Sequence, residues 1–137
     1  MLPGGHLAFR DRQSIAITGR DLRGANASRS ISVCGPAAFL ILKAFAHERR
    51  EEPKDAYDIW YLVRHYPGGD EAIVKCFELL GEDRDVKVGV GILEAAFENM
   101  DASGPLDVAI FLGSPDDDAL RQDVSALVMT FLAQVVT

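Results

Sequence analysis

The chain has 137 residues, of which 48% are hydrophobic and 26% charged, a composition that indicates one soluble globular domain and excludes a disordered chain. Its net charge of −7 excludes a protein that coats nucleic acid non-specifically, because such binding needs many Lys and Arg contacts with phosphate. The charge is uneven, since residues 1–50 carry a net charge of +5 and residues 51–137 a net charge of −12. A local phosphate-binding site remains compatible with the acidic total.

The cysteines and the apolar runs indicate a cytoplasmic protein that does not contact a membrane. Cys34 and Cys76 stand in apolar surroundings and do not form a C-x-x-C pair, which favours reduced, buried thiols. The first residues are neither basic nor followed by an apolar core, and no apolar run approaches the ~20 residues that cross a bilayer. The histidines and cysteines show no metal-ligand spacing, so no metal site is predicted.

The first third of the chain predicts short antiparallel strands. Leu7–Phe9 and Ser14–Thr18 flank the polar residues 10–13, as in a hairpin with a four-residue loop. Residues 19–30 are polar and contain two glycines, which predicts a loop. Residues 31–34 alternate apolar and small polar side chains and predict a further strand.

The next part predicts three helices. The first spans about Pro36–Arg50 and is apolar almost all round, which is typical of a buried helix. Pro53 starts a second helix that continues through Val63 and ends at Gly68-Gly69. A third helix covers about Asp70–Leu80.

Residues 86–92 alternate like a strand, but the helical spacing that continues to Met100 favours a helix. Gly104-Pro105 predicts a break, and the pattern leaves the conformation of residues 108–112 open. The last helix is predicted to start with Ser114 as its N-cap. These elements indicate an α+β fold in a single domain, with antiparallel strands over about residues 7–34 and a bundle of about four to five helices over about residues 36–137.

Two polar features stand within the predicted helices. Lys43 lies in the middle of the apolar helix, where an unpaired ammonium is costly to bury and must reach solvent or an anion. On the next helix, Asp55 and Asp58 are three residues apart and share a face, and Lys54 lies four residues before Asp58. By spacing alone, these features are compatible with a structural ion pair and with a site for a phosphate or carboxylate.

Taken together, the lysine, the short connection and the K-D-x-x-D helix resemble the AbiEii-type nucleotidyltransferase toxin family, which belongs to the DNA-polymerase-β-like superfamily. The matching residues are Val33–Pro36, Phe39, Lys43, Ala44, Ala46 and Arg49, followed by Pro53–Asp58, Tyr61 and Leu62.

This resemblance implies a bacterial toxin–antitoxin protein that binds a nucleoside triphosphate with Mg²⁺. It implies that Lys43 and Lys54 bind the nucleotide and that Asp55 and Asp58 are catalytic. It also implies an antitoxin protein as a partner and tRNA as a further one. We expect tRNA to contact the basic N-terminal third through Arg10, Arg12, Arg20, Arg23 and Arg29.

One part of the family pattern does not occur in this sequence. The family's catalytic strand carries a Gly-Gly-(Ser/Thr) motif followed by Asp-x-Asp, whose clustered carboxylates hold the divalent metals. Here Gly4-Gly5 is followed by His6-Leu7, and the first aspartate is Asp11 in the predicted hairpin turn. The chain is therefore expected to correspond to the later part of such a protein.

Two functions follow as hypotheses. The first is a nucleotidyltransferase-like toxin that lacks the metal-binding strand and is inactive alone, or is a fragment of an enzyme that transfers a nucleoside monophosphate to an RNA or protein acceptor. The second is a non-catalytic protein-interaction module, in which Lys43, Asp55 and Asp58 form a buried structural ion pair.

Overall fold

The computed structural model describes residues 3–20 and 22–136, and it describes only the backbone of residues 13–18 and 27–33. In chain order, its elements are α1 (Leu7–Arg10), β1 (Arg12–Arg20), β2 (Asn26–Cys34), α2 (Pro36–Arg50), α3 (Pro53–His65), α4 (Gly69–Leu80), α5 (Arg84–Phe97), α6 (Ser103–Phe111) and α7 (Asp118–Val136). The predicted helical bundle is confirmed, since α2 to α7 pack around a shared hydrophobic core. That the whole chain forms one domain stays a prediction.

The N-terminal hairpin differs from the predicted one. Strands β1 and β2 pair antiparallel over nine residues each, from Arg12 opposite Cys34 to Arg20 opposite Asn26. Leu7–Phe9 was expected to be a strand, but it lies in α1, where Leu7 is fully buried and Phe9 is exposed. The loop predicted over residues 19–30 is shorter in the structure, because β2 already begins at Asn26. Strands pair through backbone hydrogen bonds, which polar residues form as well as apolar ones, so the polar pattern did not reveal the start of β2.

Asp11 caps the N-terminus of α2 from a distant part of the sequence. Gly35, the N-cap residue of α2, has no side chain to satisfy the free N–H groups of the first turn. Asp11 replaces it, since its Oδ2 accepts a hydrogen bond from Ala38 N at 2.9 Å and its carbonyl accepts one from Gly35 N at 2.6 Å. Asp11 is therefore buried and does not lie in a hairpin turn. This contact fixes the start of the helix that carries Lys43.

Residues 86–92 are helical, as the sequence favoured. In α5, Val86, Val90 and Leu93 are buried with helical spacing, whereas Val88 is exposed, so the apparent alternation does not reflect a strand. The Asp83 side chain caps α5 by accepting hydrogen bonds from the backbone N–H groups of residues 85 and 86.

The expected break at Gly104-Pro105 is wrong, because both residues lie in the first turn of α6. Proline is tolerated there, since an N–H group in the first turn has no partner within the helix. Helix α6 is thus an element beyond the four or five that were expected.

Helix α7 begins at Asp118, later than the predicted start at Ser114. Residues 114–117 form a turn instead, and Asp117 Oδ1 caps the helix by accepting a hydrogen bond from Leu120 N at 3.0 Å. By length and composition alone, α7 could cross a membrane, although no apolar run in the sequence suggested this. Val124, Val128 and Phe131 are buried against the bundle, and a core helix of a globular protein meets the same criterion.

Candidate functional site

Lys43 projects from α2 towards α3 and contacts two carboxylates. Its Nζ lies 3.2 Å from Asp55 Oδ1 and 2.8 Å from Asp58 Oδ2, and 22% of its side chain remains exposed. The same Nζ is 5.6 Å from the centroid of the Phe39 ring, one turn earlier in α2. Lys43 therefore finds anionic partners, and its apolar stem stays among the helices.

Arg50 joins this group from the end of α2. Its Nε donates to Asp55 Oδ2 at 3.2 Å and its Nη2 to Asp55 Oδ1 at 2.7 Å, which is a bidentate pair. Glu51 ends the helix in the left-handed conformation, with φ of 54°, and Pro53 begins α3. Arg50 was not among the predicted site residues, although a short connection between two helices brings the residues at its two ends within reach of each other.

Lys54 completes the group on the exposed side. Its Nζ lies 2.9 Å from Asp58 Oδ2, the same oxygen that Lys43 contacts, and 64% of its side chain is exposed. The structure thus brings together all four predicted site residues and adds Arg50. We call these five residues, Lys43, Arg50, Lys54, Asp55 and Asp58, the lysine–aspartate cluster.

The lysine–aspartate cluster carries three cations and two carboxylates, a formal net charge of +1. Burial alone would raise the pKa of Asp55, but hydrogen bonds from Arg50 and Lys43 outweigh it and lower that pKa. The pKa of Asp58 is lowered in the same way, as Lys43 and Lys54 outweigh burial. Burial alone would lower the pKa of Lys43, but Asp58 and Asp55 outweigh it and raise that pKa. Lys43, Asp55 and Asp58 are therefore ionised at neutral pH.

We expect acid to weaken the fold through these carboxylates. The folded-state pKa values of Asp55 and Asp58 are below the ordinary value of 3.8. The two carboxylates therefore stabilise the fold fully at a pH above 3.8, and this contribution is lost as the pH falls through their lowered pKa values. Urea unfolding measured between about pH 6 and pH 2 should show a decreasing free energy of unfolding. The decrease should be shallower for Asp58→Asn, and identical slopes for the two proteins would contradict this prediction.

The two aspartates differ in burial. The Asp55 side chain is 2% exposed and that of Asp58 is 17% exposed. By sequence position, Asp55 could be explained as a partner of the helix dipole, yet it pairs with two cations, Lys43 and Arg50, as Asp58 does with Lys43 and Lys54. Both oxygens of Asp55 accept hydrogen bonds from cations. The carboxylates do not fit a Mg²⁺ site, because cations already contact both oxygens of Asp55 and Oδ2 of Asp58, and the cluster has a net positive charge.

A different group within the described residues has the spacing of metal ligands. Atoms of His6, Asp83 and Asp85 lie within 4.8 Å of one another. Their oxygens have protein partners, however: Asp83 Oδ2 contacts His6 Nε2 at 2.9 Å and Arg10 Nη1 at 3.3 Å, and Asp85 Oδ2 accepts from Gly4 N at 2.9 Å. This network connects α1 to the start of α5 and gives no reason to place a metal there.

His47 lies away from the lysine–aspartate cluster. It is buried in α2, where its Nε2 is 3.1 Å from Ser103 Oγ and its Nδ1 is 3.7 Å from Asp107 Oδ2. Both partners belong to α6, so His47 connects these two helices, as expected for a structural histidine. Burial raises the pKa of Asp107.

Comparison with known proteins gives one match. A family model described as "Nucleotidyl transferase AbiEii toxin, Type IV TA system" matches residues 9–135, which is most of the chain and includes the whole lysine–aspartate cluster. No curated protein and no solved structure matches significantly. The chain belongs to the AbiEii nucleotidyl transferase toxin family of type IV toxin–antitoxin systems.

Proposed function

We propose that this protein is a nucleotidyltransferase-type toxin whose lysine–aspartate cluster binds the phosphates of a nucleoside triphosphate. The observation that carries the proposal is the position of Lys43 and Lys54, whose ammonium groups both contact Asp58 Oδ2. Each ammonium has three donors, so donors remain for a phosphate. Lys54 is largely exposed, and a phosphate can approach it without unfolding either helix.

In this proposal, Asp55 and Asp58 act by positioning the cations. Asp55 holds Arg50 and Lys43, and Asp58 holds Lys43 and Lys54. Phosphoryl transfer depends mainly on positioning and on neutralising charge, which fixed cations provide. The residues that would hold catalytic metals are not among these five. We therefore propose that the chain alone does not transfer nucleotides and that another polypeptide completes the metal site.

The acceptor and partners are proposed from the family and from the charges. An RNA such as tRNA would contact the N-terminal hairpin, where Arg12 and Arg20 are exposed. Arg10 is unsuitable for this role, because it contacts Asp83 and the carbonyl of Leu80. A protein acceptor is the alternative. The family also suggests an antitoxin protein as a partner.

Isothermal titration calorimetry with ATP, CTP, GTP and UTP in the presence of Mg²⁺ tests nucleotide binding. We expect the wild type to bind, and Lys43→Met and Lys54→Ala each to weaken binding by about tenfold or more, because each removes a charged hydrogen bond to phosphate. Lys54→Ala keeps the test valid if Lys43→Met unfolds, since Lys54 is exposed. Lys75→Ala is the matched control, as Lys75 is equally exposed and pairs only with Glu71 among the described ion pairs. Absence of heat for the wild type, or equal affinity in all variants, would contradict the proposal.

The second candidate function is a non-catalytic interaction module. It is favoured by the complete pairing of Asp55, whose two oxygens both accept hydrogen bonds from Arg50 and Lys43. This alternative predicts that Asp55 variants lose stability and that the wild type binds no nucleotide.

A further inference from the structure

A small cleft adjoins the lysine–aspartate cluster and contains exposed aromatic rings. It has a volume of about 270 Å³ and lies between α2 and the second half of α3. Phe39, Tyr61 and His65 are among its lining residues, and Asp58 belongs both to this cleft and to the cluster. A ligand that occupies the cleft would thus lie next to the ammonium groups of Lys43 and Lys54.

Tyr61 and His65 form an open stacking surface. They are one turn apart on α3, with ring centroids 4.4 Å apart and ring planes tilted by 43°. Tyr61 is 49% exposed, so part of its ring is open to a ligand. Aromatic rings exposed beside cations are the usual combination in sites that bind nucleotides, because every base has a face that stacks on such rings.

The charge around the larger clefts excludes them as nucleotide sites. One, of about 560 Å³, is lined by Glu78, Glu82 and Glu94 with Lys87 as its cation. Another, of about 530 Å³, contains the carboxylates of Glu48, Glu51 and Asp107. A triphosphate would be repelled in both. The cleft beside Tyr61 adjoins a cluster of net positive charge. Its volume is below the range for drug-sized ligands, and this small size suits a flat group such as one base.

We propose that this cleft binds the nucleobase of the triphosphate whose phosphates contact Lys43 and Lys54, and that Tyr61 is the residue on which the base stacks. This inference rests on the proposed nucleotide site and adds where the base lies. Stacking does not read the hydrogen-bonding edge of a base, so the cleft accepts all four bases and favours purines, which have the larger stacking area.

The test compares a ligand with a base and a ligand without one. Calorimetry would measure the affinity for ATP and for inorganic tripolyphosphate, both with Mg²⁺, on the wild type, Tyr61→Ala and Tyr61→Phe. We expect Tyr61→Ala to weaken ATP binding by about tenfold and to leave tripolyphosphate binding unchanged, because only ATP has a base to stack. Tyr61→Phe should retain the ATP affinity, since the ring is kept. Leu79→Ala, at an exposed apolar residue of α4, is the control.

The outcomes separate this inference from the proposed function. If tripolyphosphate binds as tightly as ATP and binding depends on Lys43, the phosphate site stands and the base cleft is wrong. If Tyr61→Ala lowers the affinity for ATP and for tripolyphosphate equally, or changes neither affinity, the proposed stacking of the base on Tyr61 is wrong. If the wild type binds neither ligand, both proposals fail.

Discussion

Replacing Asp55 by Ala is expected to lower the free energy of unfolding by about 3 kcal/mol, because it removes a buried carboxylate that pairs with two cations. The Asp55 side chain is 2% exposed and holds both Lys43 and Arg50. Arg50 is half-exposed and can turn towards water, and Lys43 keeps Asp58, so the loss lies at the low end for a broken buried pair. Thermal unfolding followed by circular dichroism should show Tm lowered by roughly 10 °C.

Two further variants control this prediction. Asp58→Ala should cost less than Asp55→Ala, because Asp58 is more exposed and Lys43 retains Asp55. Asp116→Ala, at an exposed residue before α7, should change the free energy of unfolding by less than about 0.5 kcal/mol. An Asp55→Ala protein as stable as Asp116→Ala would show that the lysine–aspartate cluster does not stabilise the fold, and would remove the support for the interaction-module alternative.

Replacing Gly104 by Ala is expected to be similarly damaging, through a steric clash. Gly104 is buried in the first turn of α6, and a Cβ atom there would lie 2.7 Å from the carbonyl oxygen of Ala96 and 2.7 Å from Cε1 of Phe97. The Ala96 oxygen belongs to the α5 backbone and cannot move unless the helix moves. Overpacking of this kind costs about 2–3 kcal/mol, which urea unfolding would measure.

Gly91→Ala provides the opposite result in a neighbouring helix. A Cβ atom at Gly91 would have no neighbour within 4 Å, and alanine favours a helix over glycine by up to about 1 kcal/mol. This variant should therefore be more stable than the wild type. A Gly104→Ala protein as stable as Gly91→Ala would contradict the close contact between α5 and α6, and a Gly91→Ala protein less stable than the wild type would contradict the open space at Gly91.

Local signals predicted the central helices well, and contacts between distant residues explain what was missed. Pro36 and Pro53 begin α2 and α3, as expected from the preference of proline for the first turn. The role of Asp11 could not be predicted, because a carboxylate that caps a helix from 27 residues away leaves no pattern in the sequence. The extent of β2 was missed for a related reason: backbone pairing with β1 extends it into a polar segment.

The candidate site shows the same division between local and distant information. Spacing placed Asp55 and Asp58 on one face of α3 and identified Lys43 as a cation in need of a partner. The family resemblance assigned these three residues to one site, and in the structure Lys43 contacts both aspartates. Arg50 was missed because its pairing with Asp55 depends on the path of the chain between two helices. The tyrosine in the adjoining cleft was missed because helical periodicity does not show which aromatic rings stay exposed.

The connection between α2 and α3 limits how the length of this protein can vary. Only Glu51 and Glu52 separate the two helices, and Glu51 adopts a left-handed conformation. Each residue of a helix is rotated by about 100° from the one before it. One residue added or removed at the start of α3 would therefore turn Asp55 and Asp58 away from Lys43 together. Natural or engineered changes in length should be accepted in the segment before α7 and rejected here.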